Sequence, residues 1–347
     1  MADDWTGAGD VGLAFWRAGF ETALWAPVGG PPRPPRNARV WVIDTESRHL
    51  PPAAAARRVR AAVRVLRAWG ATFFYKKIDS TLRGPVGPEL KAFLDATGPG
   101  GAPPVVPAHP RLGRVTRGGV HYVNGVPLKR SAAGRDPRAP VAASRIARLL
   151  GQAPAPKLFR VPDVESVPAL NALARGLIDA GGTRAVGASA LAGALARLWG
   201  RPRARPRCPA FSRWVVVSGS AHPASRAQAT FLAKRLGRSG ERRKTTLLAA
   251  PVAPGRAERI AADLRGRARN IERTFSRAVR RRTGWWIAGG ETAFGLVRSW
   301  KTPAWRVAGA MDEGVALCRA EGPESRWLVT KPGGFGRPDL LWRVLGK

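Results

Sequence analysis

Short apolar runs recur along this chain, each ending in a polar or glycine-rich cluster, and most lead into a stretch with helical spacing. That rhythm constrains the fold more than any other feature, because strands alternating with helices build a parallel sheet wrapped by helices. Residues 71–75 (ATFFY) read as a buried strand opening into KKIDSTLRG (76–84), and 87–96 have helical spacing, with Pro88 suited to the first turn. Residues 39–43 are strand-like and end in DTESR (44–48), and 53–69 form a helix with a Val59, Val63, Leu66 stripe. Further strands are expected at 21–26, 103–107, 158–161, 184–186, 214–217, 285–288 and 326–330. Helices are expected at 11–20, 139–150, 167–180, 188–199, 225–236 and 292–300, with one long basic helix over 256–282. An Asn-Gly pair between apolar flanks at 120–127 predicts a β-hairpin.

A length of 347 residues suggests two domains. The segment GRPRARPRCP (200–209) alternates Arg with Pro and cannot be helical, so it marks the join. The expected division is 1–200, a linker at 201–212, and 213–347. The formal charge of +36 invites a nucleic-acid partner. Only ten of the 59 basic residues are lysine, however, and the most basic tract, 256–282, holds one aromatic, Phe275, for stacking. Composition therefore argues against nucleic acid as a specific partner. Cys208 and Cys318 have neither metal nor redox spacing and fit free thiols in a reducing cytoplasm. The acidic N-terminus lacks the apolar stretch of a secretory signal, and no apolar run approaches the roughly 18 residues of a membrane span.

Chemistry concentrates at strand ends. In KKIDSTLRG, Arg83 can grip a carboxylate bidentately and Asp79 can accept hydrogen bonds from ligand hydroxyls, while Ser80 and Thr81 also suit plain helix capping. The C-terminal half offers three glycine-rich exits: SGS (218–220), GGET (289–292) and KPGGFG (331–336). Small residues let backbone N–H groups approach an anion, and a following helix adds a favourable dipole end. None of the three is a Walker A loop. Together, opposite acidic and hydroxyl-rich strand ends, they suggest a phosphorylated ligand facing a polyhydroxy one.

The motifs ADDWTGAGD (2–10), DTESR (44–48), KKIDSTLRG (76–84), GGVHYVNGVPL (118–128), SGS with Gln228 downstream, GGET and KPGGFG occur in this order along nearly the whole chain. In this the sequence resembles the four-carbon acid sugar kinase family, which includes the threonate, erythronate and 3-oxo-tetronate kinases. The resemblance implies two α/β domains, each a mostly parallel sheet flanked by helices, with the active site in the cleft between them. It also implies transfer of the ATP γ-phosphoryl, with Mg²⁺, to the terminal hydroxyl of a tetronate. Carried onto this chain, it makes Asp3, Asp4 and Asp79 the holders of substrate hydroxyls, one of them accepting the proton. Arg83 with Lys76 or Lys77 would bind the carboxylate, and Ser47, Arg48 and Ser80 would complete the acid site. Ser220, Gly289, Gly290, Glu291, Thr292, Gly333 and Gly334 would line the ATP site, with Lys331 neutralising phosphate charge. No metal ligand is assigned.

The chain also departs from the family. An apolar strand usually precedes the ADD motif, and this sequence starts almost on the motif, which predicts a sheet short of a member and Asp3 and Asp4 without an anchor. Ala221-His222-Pro223 replaces the usual serine or cysteine-serine, His109 replaces an aromatic, and the stretch from Leu248 to Trp285 is short and Arg-rich. The readings in competition are a kinase, a ligand-binding homologue of the kinase fold without turnover, and a basic nucleic-acid-associated protein.

Overall fold

The structure is a computed structural model, and it describes residues 1–28, 34, 37–136, 138–151, 158–202, 209–220, 222–238, 244–249, 257–322 and 325–345. Most of the expected loop at 29–36, the middle of the expected linker, Cys208, Ala221 and Arg256 lie outside the described residues.

The N-terminal half runs α1 (Trp5–Arg17), β1 (Thr22–Trp25), β2 (Val40–Ile43), α2 (Pro52–Ala68), β3 (Phe74–Lys77), α3 (Val86–Thr97) and β4 (Val105–Val106). It continues through β5 (Arg114–Arg117), β6 (Val120–Val123), β7 (Val126–Pro127), α4 (Ile146–Leu149), α5 (Val167–Asp179), β8 (Arg184–Gly187) and α6 (Ser189–Trp199). The C-terminal half runs β9 (Arg213–Ser218), α7 (Pro223–Arg238), β10 (Thr245–Ala249), α8 (Ala257–Arg273), α9 (Arg277–Arg281), β11 (Thr283–Ala288) and α10 (Gly290–Ser299). It ends with β12 (Ala304–Asp312), β13 (Val315–Ala320), β14 (Trp327–Lys331) and α11 (Leu340–Leu345).

The α/β alternation expected from the sequence is present, but sheet membership crosses the two halves. An eight-stranded sheet has the order β10-β9-β11-β14-β13-β12-β1-β2, and β3-β8-β4 forms a second, parallel sheet. β1 joins the C-terminal strands by pairing antiparallel to β12 and parallel to β2. The Asn-Gly hairpin forms as β6 and β7, with Asn124 and Gly125 both at positive φ, the geometry a two-residue hairpin turn demands.

Several boundaries differ from the sequence expectation for identifiable reasons. The first helix begins at Trp5 rather than 11, because the Asp4 side chain accepts from the Gly7 N–H and caps it. The strand expected at 71–75 is shifted to β3, so Lys76 and Lys77 are strand residues. Residues 139–150 retain only the one-turn α4, and 158–161 only a bridge from Arg160 to Pro104. The long basic helix is broken by Ser276, whose hydroxyl caps α9.

The expected loss of an anchor for Asp3 and Asp4 does not occur. Met1 and Ala2 lie extended between β2 and β3, with the Ala2 N–H donating to Ile43 O (2.9 Å) and the Lys77 N–H to Met1 O (2.9 Å). These two residues bridge the two sheets and fix the start of the motif. Beside Met1 a cavity of about 440 Å³, lined by Trp41, Phe73, Tyr75 and Trp199 among others, separates β2 from the segment entering β3.

α1 is buried along most of its length, as suits a helix apolar on nearly every face. It packs against β1, β2, β12, β13 and β14 of the large sheet and against β3, α6 and α10. Trp5 meets Trp305 edge-on with ring centroids 6.2 Å apart, Trp305 meets Trp300 at 5.9 Å, and Trp300 meets Trp285 at 5.3 Å. Such aromatic contacts add about 0.5–1.5 kcal/mol each beyond area burial. This tryptophan column runs from the first helical residue into the C-terminal sheet.

Candidate active site

Three adjacent parallel strands, β9, β11 and β14, end at the same edge of the large sheet. Their exits are the three glycine-rich loops singled out in the sequence, now side by side. A Cβ on Gly289 would stand 3.2 Å from the Ser220 amide nitrogen, and one on Gly334 would stand 3.1 Å from His222 Nε2. The loop after β14 is organised from within. Lys331 Nζ donates to the carbonyls of Pro332 (2.9 Å), Gly333 (3.2 Å) and Phe335 (3.0 Å), and Gln228 Nε2 donates to those of Phe335, Gly336 and Arg337. Lys331 is fully buried, and burial pulls its ammonium down to about 7. It holds the loop's shape, whereas the sequence expectation made it a phosphate partner.

Opposite these loops stands the acidic wall of the N-terminal half. Arg48, in the loop after β2, grips Asp3 through Nε (2.7 Å) and Nη2 (2.9 Å) and reaches Asp4 through Nη1 (2.6 Å). Burial pushes the Asp3 carboxyl up, but Arg48, helped by Lys76 and Lys77, outweighs it and holds the group below the usual range. Asp79 has a clamp of its own in Arg83, which binds it through Nε (2.7 Å) and Nη2 (3.1 Å) and turns Nη1 to Asp136 (3.2 Å). Burial of Asp79 is again overridden, first by Arg83, and its carboxyl sits well below the ordinary value. Gly84 ties the two motif loops together: at φ +91° it brings its backbone so close to Arg48 that a Cβ would stand 2.9 Å from Arg48 O.

The remaining residues expected in the acid site separate into two groups. Lys77 is buried with its Nζ donating to Ile78 O (3.0 Å), and a Cβ on Gly7 would stand 3.4 Å from it, which puts the ammonium at the head of α1. Ser80 accepts from Arg114 Nη1, and its carbonyl meets His121 Nε2 at 2.9 Å. Lys76 and Ser47, by contrast, are turned inward. Lys76 Nζ pairs with Glu89 Oε2 at 2.8 Å, and Ser47 donates to the other oxygen of the same carboxylate. Both are fully buried.

The acidic wall and the loops touch. Asp4 lies against Gly290, the first residue of α10, so closely that a Cβ there would come within 2.6 Å of Asp4 Oδ2. Glu291 is bound by Arg138 and lies 3.6 Å from His49 Nε2, both from the N-terminal half. His109 meets Phe335 edge-on at 6.2 Å. Sequence reasoning singled out neither Asp136 nor Arg138, which lie 53 and 55 positions beyond Arg83 with no local signal. Asp10 is within the first motif, and burial raises its carboxyl above the ordinary range. Arg114 is in the polar exit from β4, a position that could have flagged it. Among the described residues no cluster of three metal-ligating side chains is present, and no helix is long and apolar enough to cross a membrane.

A family model for a sugar-binding N-terminal domain matches residues 1–195, and one for a nucleotide-binding C-terminal domain matches residues 241–341. A D-threonate kinase of Bordetella bronchiseptica is 33% identical over 398 residues, covering 99% of this chain and 95% of the relative. The chain belongs to the four-carbon acid sugar kinase family. Other members are similar over part of the chain: a D-erythronate kinase of Heliobacterium modesticaldum is 40% identical over 43% of this chain and 34% of its own. A 3-oxo-tetronate kinase of Methylobacterium radiotolerans is 35% identical over 44% of this chain and 37% of its own. A Haemophilus influenzae protein of solved structure shares the fold, with a TM-score of 0.72 at 21% identity, over 99% of this chain and 98% of that one. A Bordetella bronchiseptica protein, solved as a domain-swapped dimer with bound citrate, is 32% identical over 99% of this chain and 96% of that one, with a TM-score of 0.52. Like its relatives in this family, the protein is a phosphotransferase with a nucleotide-binding domain.

Proposed function

We propose that this family member transfers the γ-phosphoryl of ATP to the terminal hydroxyl of a four-carbon sugar acid: threonate, erythronate or 3-oxo-tetronate. The observation that carries the reading is the approach of Asp4 to Gly290, which sets the acidic wall within reach of the head of a ten-residue helix. In phosphoryl transfer the protein chiefly positions the reactants and stabilises charge. The backbone N–H groups of Gly290, Glu291 and Thr292 at the α10 N-terminus suit phosphate oxygens, and Ser220, Gly289, Gly333 and Gly334 flank them. In this reading residues 1–200 hold the acid, 201–212 link, and 213–347 hold the nucleotide.

Of the three candidate carboxylates, Asp3 and Asp79 are each held bidentately by an arginine and kept low, which makes them poor proton acceptors and good anchors for ligand hydroxyls. Asp4 is held by a single Arg48 nitrogen rather than bidentately and is the one facing the glycine loops, and we assign it the proton of the attacking hydroxyl. Mg²⁺ typically takes one or two carboxylates with phosphate oxygens and water rather than an all-protein cage, so the donor set fits an ion carried in by the nucleotide. The ion would neutralise phosphate charge, held chiefly by the nucleotide's own oxygens and water. The reading places the chain in the cytoplasm, where ATP is supplied.

The test is an ADP-release screen against threonate, erythronate and their 3-oxo forms. ADP release that saturates with one of these acids is the expected result. Thermal stabilisation by ATP without turnover on any of them would instead assign the chain to a ligand-binding role.

A further inference from the structure

The cations near the acidic wall can be separated by what already occupies them. Arg48 commits three nitrogens to Asp3 and Asp4. Arg83, the residue expected to hold the ligand's carboxylate, commits two to Asp79 and the third to Asp136. Lys76 is neutralised by Glu89. Arg114 differs. It stands at the start of β5, its Nη1 donates to the uncharged Ser80 hydroxyl, and among the described residues it forms no ion pair. Its Nε is buried and has no hydrogen-bond partner, and the same is true of Nδ1 of His109, whose backbone pairs with that of Arg114.

We propose that Arg114, rather than Arg83, is the cation that binds the carboxylate of the acid substrate. The assignment rests on the kinase reading for its substrate class but on this geometry for its residue. Arg114 is half-buried, with one guanidinium nitrogen shut off from water and unpaired; that arrangement is costly unless an anion arrives, and a bidentate carboxylate is the anion its planar fork matches. Burial pulls the Arg114 guanidinium below its ordinary value, with the carboxylates of Asp79 and Asp10 acting in the opposite direction and the nearby Arg83 reinforcing the fall. Its hydrogen bond to Ser80, the residue following Asp79, places Arg114 beside a group assigned to the ligand's hydroxyls. Arg83 instead locks Asp79 in place and ties it to Asp136. Lys77, with its single carbonyl contact, is the second cation within the same wall.

The experiment compares the intact protein with Arg114→Gln and Arg114→Lys, measuring turnover and calorimetric binding for each tetronate and for the corresponding neutral amide. Loss of a charge-assisted hydrogen bond predicts a roughly 10- to 100-fold rise in KM and Kd for the acid in Arg114→Gln. Arg114→Lys would recover part of it, and neither variant would change affinity for the amide or for ATP. Equal affinity of Arg114→Gln and the parent for the acid overturns the assignment, as does an equal loss for acid and amide. If the parent binds a tetronate but turns none over, the kinase reading fails while the binding comparison still decides Arg114. If the parent binds none of these acids, both fall. Unfolding midpoints measured alongside separate a loss of fold from a loss of contact, and Arg114→Lys, which keeps the donor to Ser80, serves if Arg114→Gln does not fold.

Discussion

Replacing Lys76 tests whether the first lysine of KKIDSTLRG serves the ligand or the fold. Its ammonium is fully buried and pairs with Glu89 at 2.8 Å, and Glu89 also accepts from Ser47. The Ser47 hydroxyl meets that of Thr45 at 2.7 Å, and Thr45 Oγ1 donates to Ala2 O at 2.8 Å. These contacts link β3 through α3 to the residue preceding Asp3. Lys76→Met leaves Glu89 buried with its charge unopposed, and removing one partner of a buried pair costs about 3–5 kcal/mol. Replacing both partners is often close to neutral, so Lys76→Met with Glu89→Gln, which keeps an acceptor for Ser47, should recover most of the loss. Urea unfolding followed by tryptophan fluorescence measures both variants, and steady-state kinetics gives KM for the acid. The folded fraction of Lys76→Met should retain a KM within about threefold of the parent. An unchanged unfolding midpoint together with a tenfold higher KM would show that Lys76 reaches the ligand and would refute the structural role.

Three further outcomes are expected. Asp79→Ala releases the Arg83 clamp and misplaces the ligand's hydroxyls, so turnover should fall at least ~10²-fold while ATP still raises the unfolding temperature; normal turnover would exclude Asp79 from the site. Gly290→Ala drives a methyl group into Asp4 Oδ2, which should lower kcat more than stability, since small overpacking costs about 1–3 kcal/mol; kinetics and melting on one sample decide it. His109 and His121 are each pulled down to about 4, chiefly by burial and secondarily, for His109, by Arg114. Between that value and the ordinary 6.5 the unfolded chain binds more protons, so the stability is present above pH 6.5 and lost as pH falls toward 4, by up to ~3 kcal/mol for each group. His121→Gln should flatten urea midpoints measured from pH 7 to pH 4.5, and an unaltered slope would count against the assignment.

The βα alternation and the three glycine loops were legible because each is a local signal: an apolar run, a small-residue exit, a helical stripe. The side-by-side placement of the loops follows from parallel pairing of β9, β11 and β14, a pattern the alternation already implies. What the sequence conceals is partnership at long range. Lys331 and Lys76 look like ligand cations when read along the chain, yet one is occupied by carbonyls of its own loop and the other by Glu89 on the next helix. Arg83 reads as a carboxylate clamp, and it is one, but the carboxylates it holds are Asp79 and Asp136. The antiparallel pair β12–β13 carries Gly309 and two register shifts, irregularities that blur the alternation by which a strand is recognised.

The joining of the two halves has a physical cause that no motif reveals. Asp4 caps α1, Trp5 begins the tryptophan column into the C-terminal sheet, and Gly9 packs so tightly on Thr330 that only glycine fits. β1 then enters the large sheet beside β12. The helix that positions the acidic wall is therefore the same helix that packs on β14 and α10, which flank two of the three glycine-rich loops. Hinge motion that separated wall from loops would have to uncover Trp5 and Trp305, both fully buried, and exposing even one such side chain forfeits more than ~2 kcal/mol. Opening of this cleft should accordingly be confined to the contacts nearest solvent, Arg138 and His49 on Glu291. Glu291→Gln then becomes the informative variant: it should raise the off-rate of bound nucleotide without shifting the unfolding midpoint, and a large loss of stability would show that the tryptophan column does not hold the halves together.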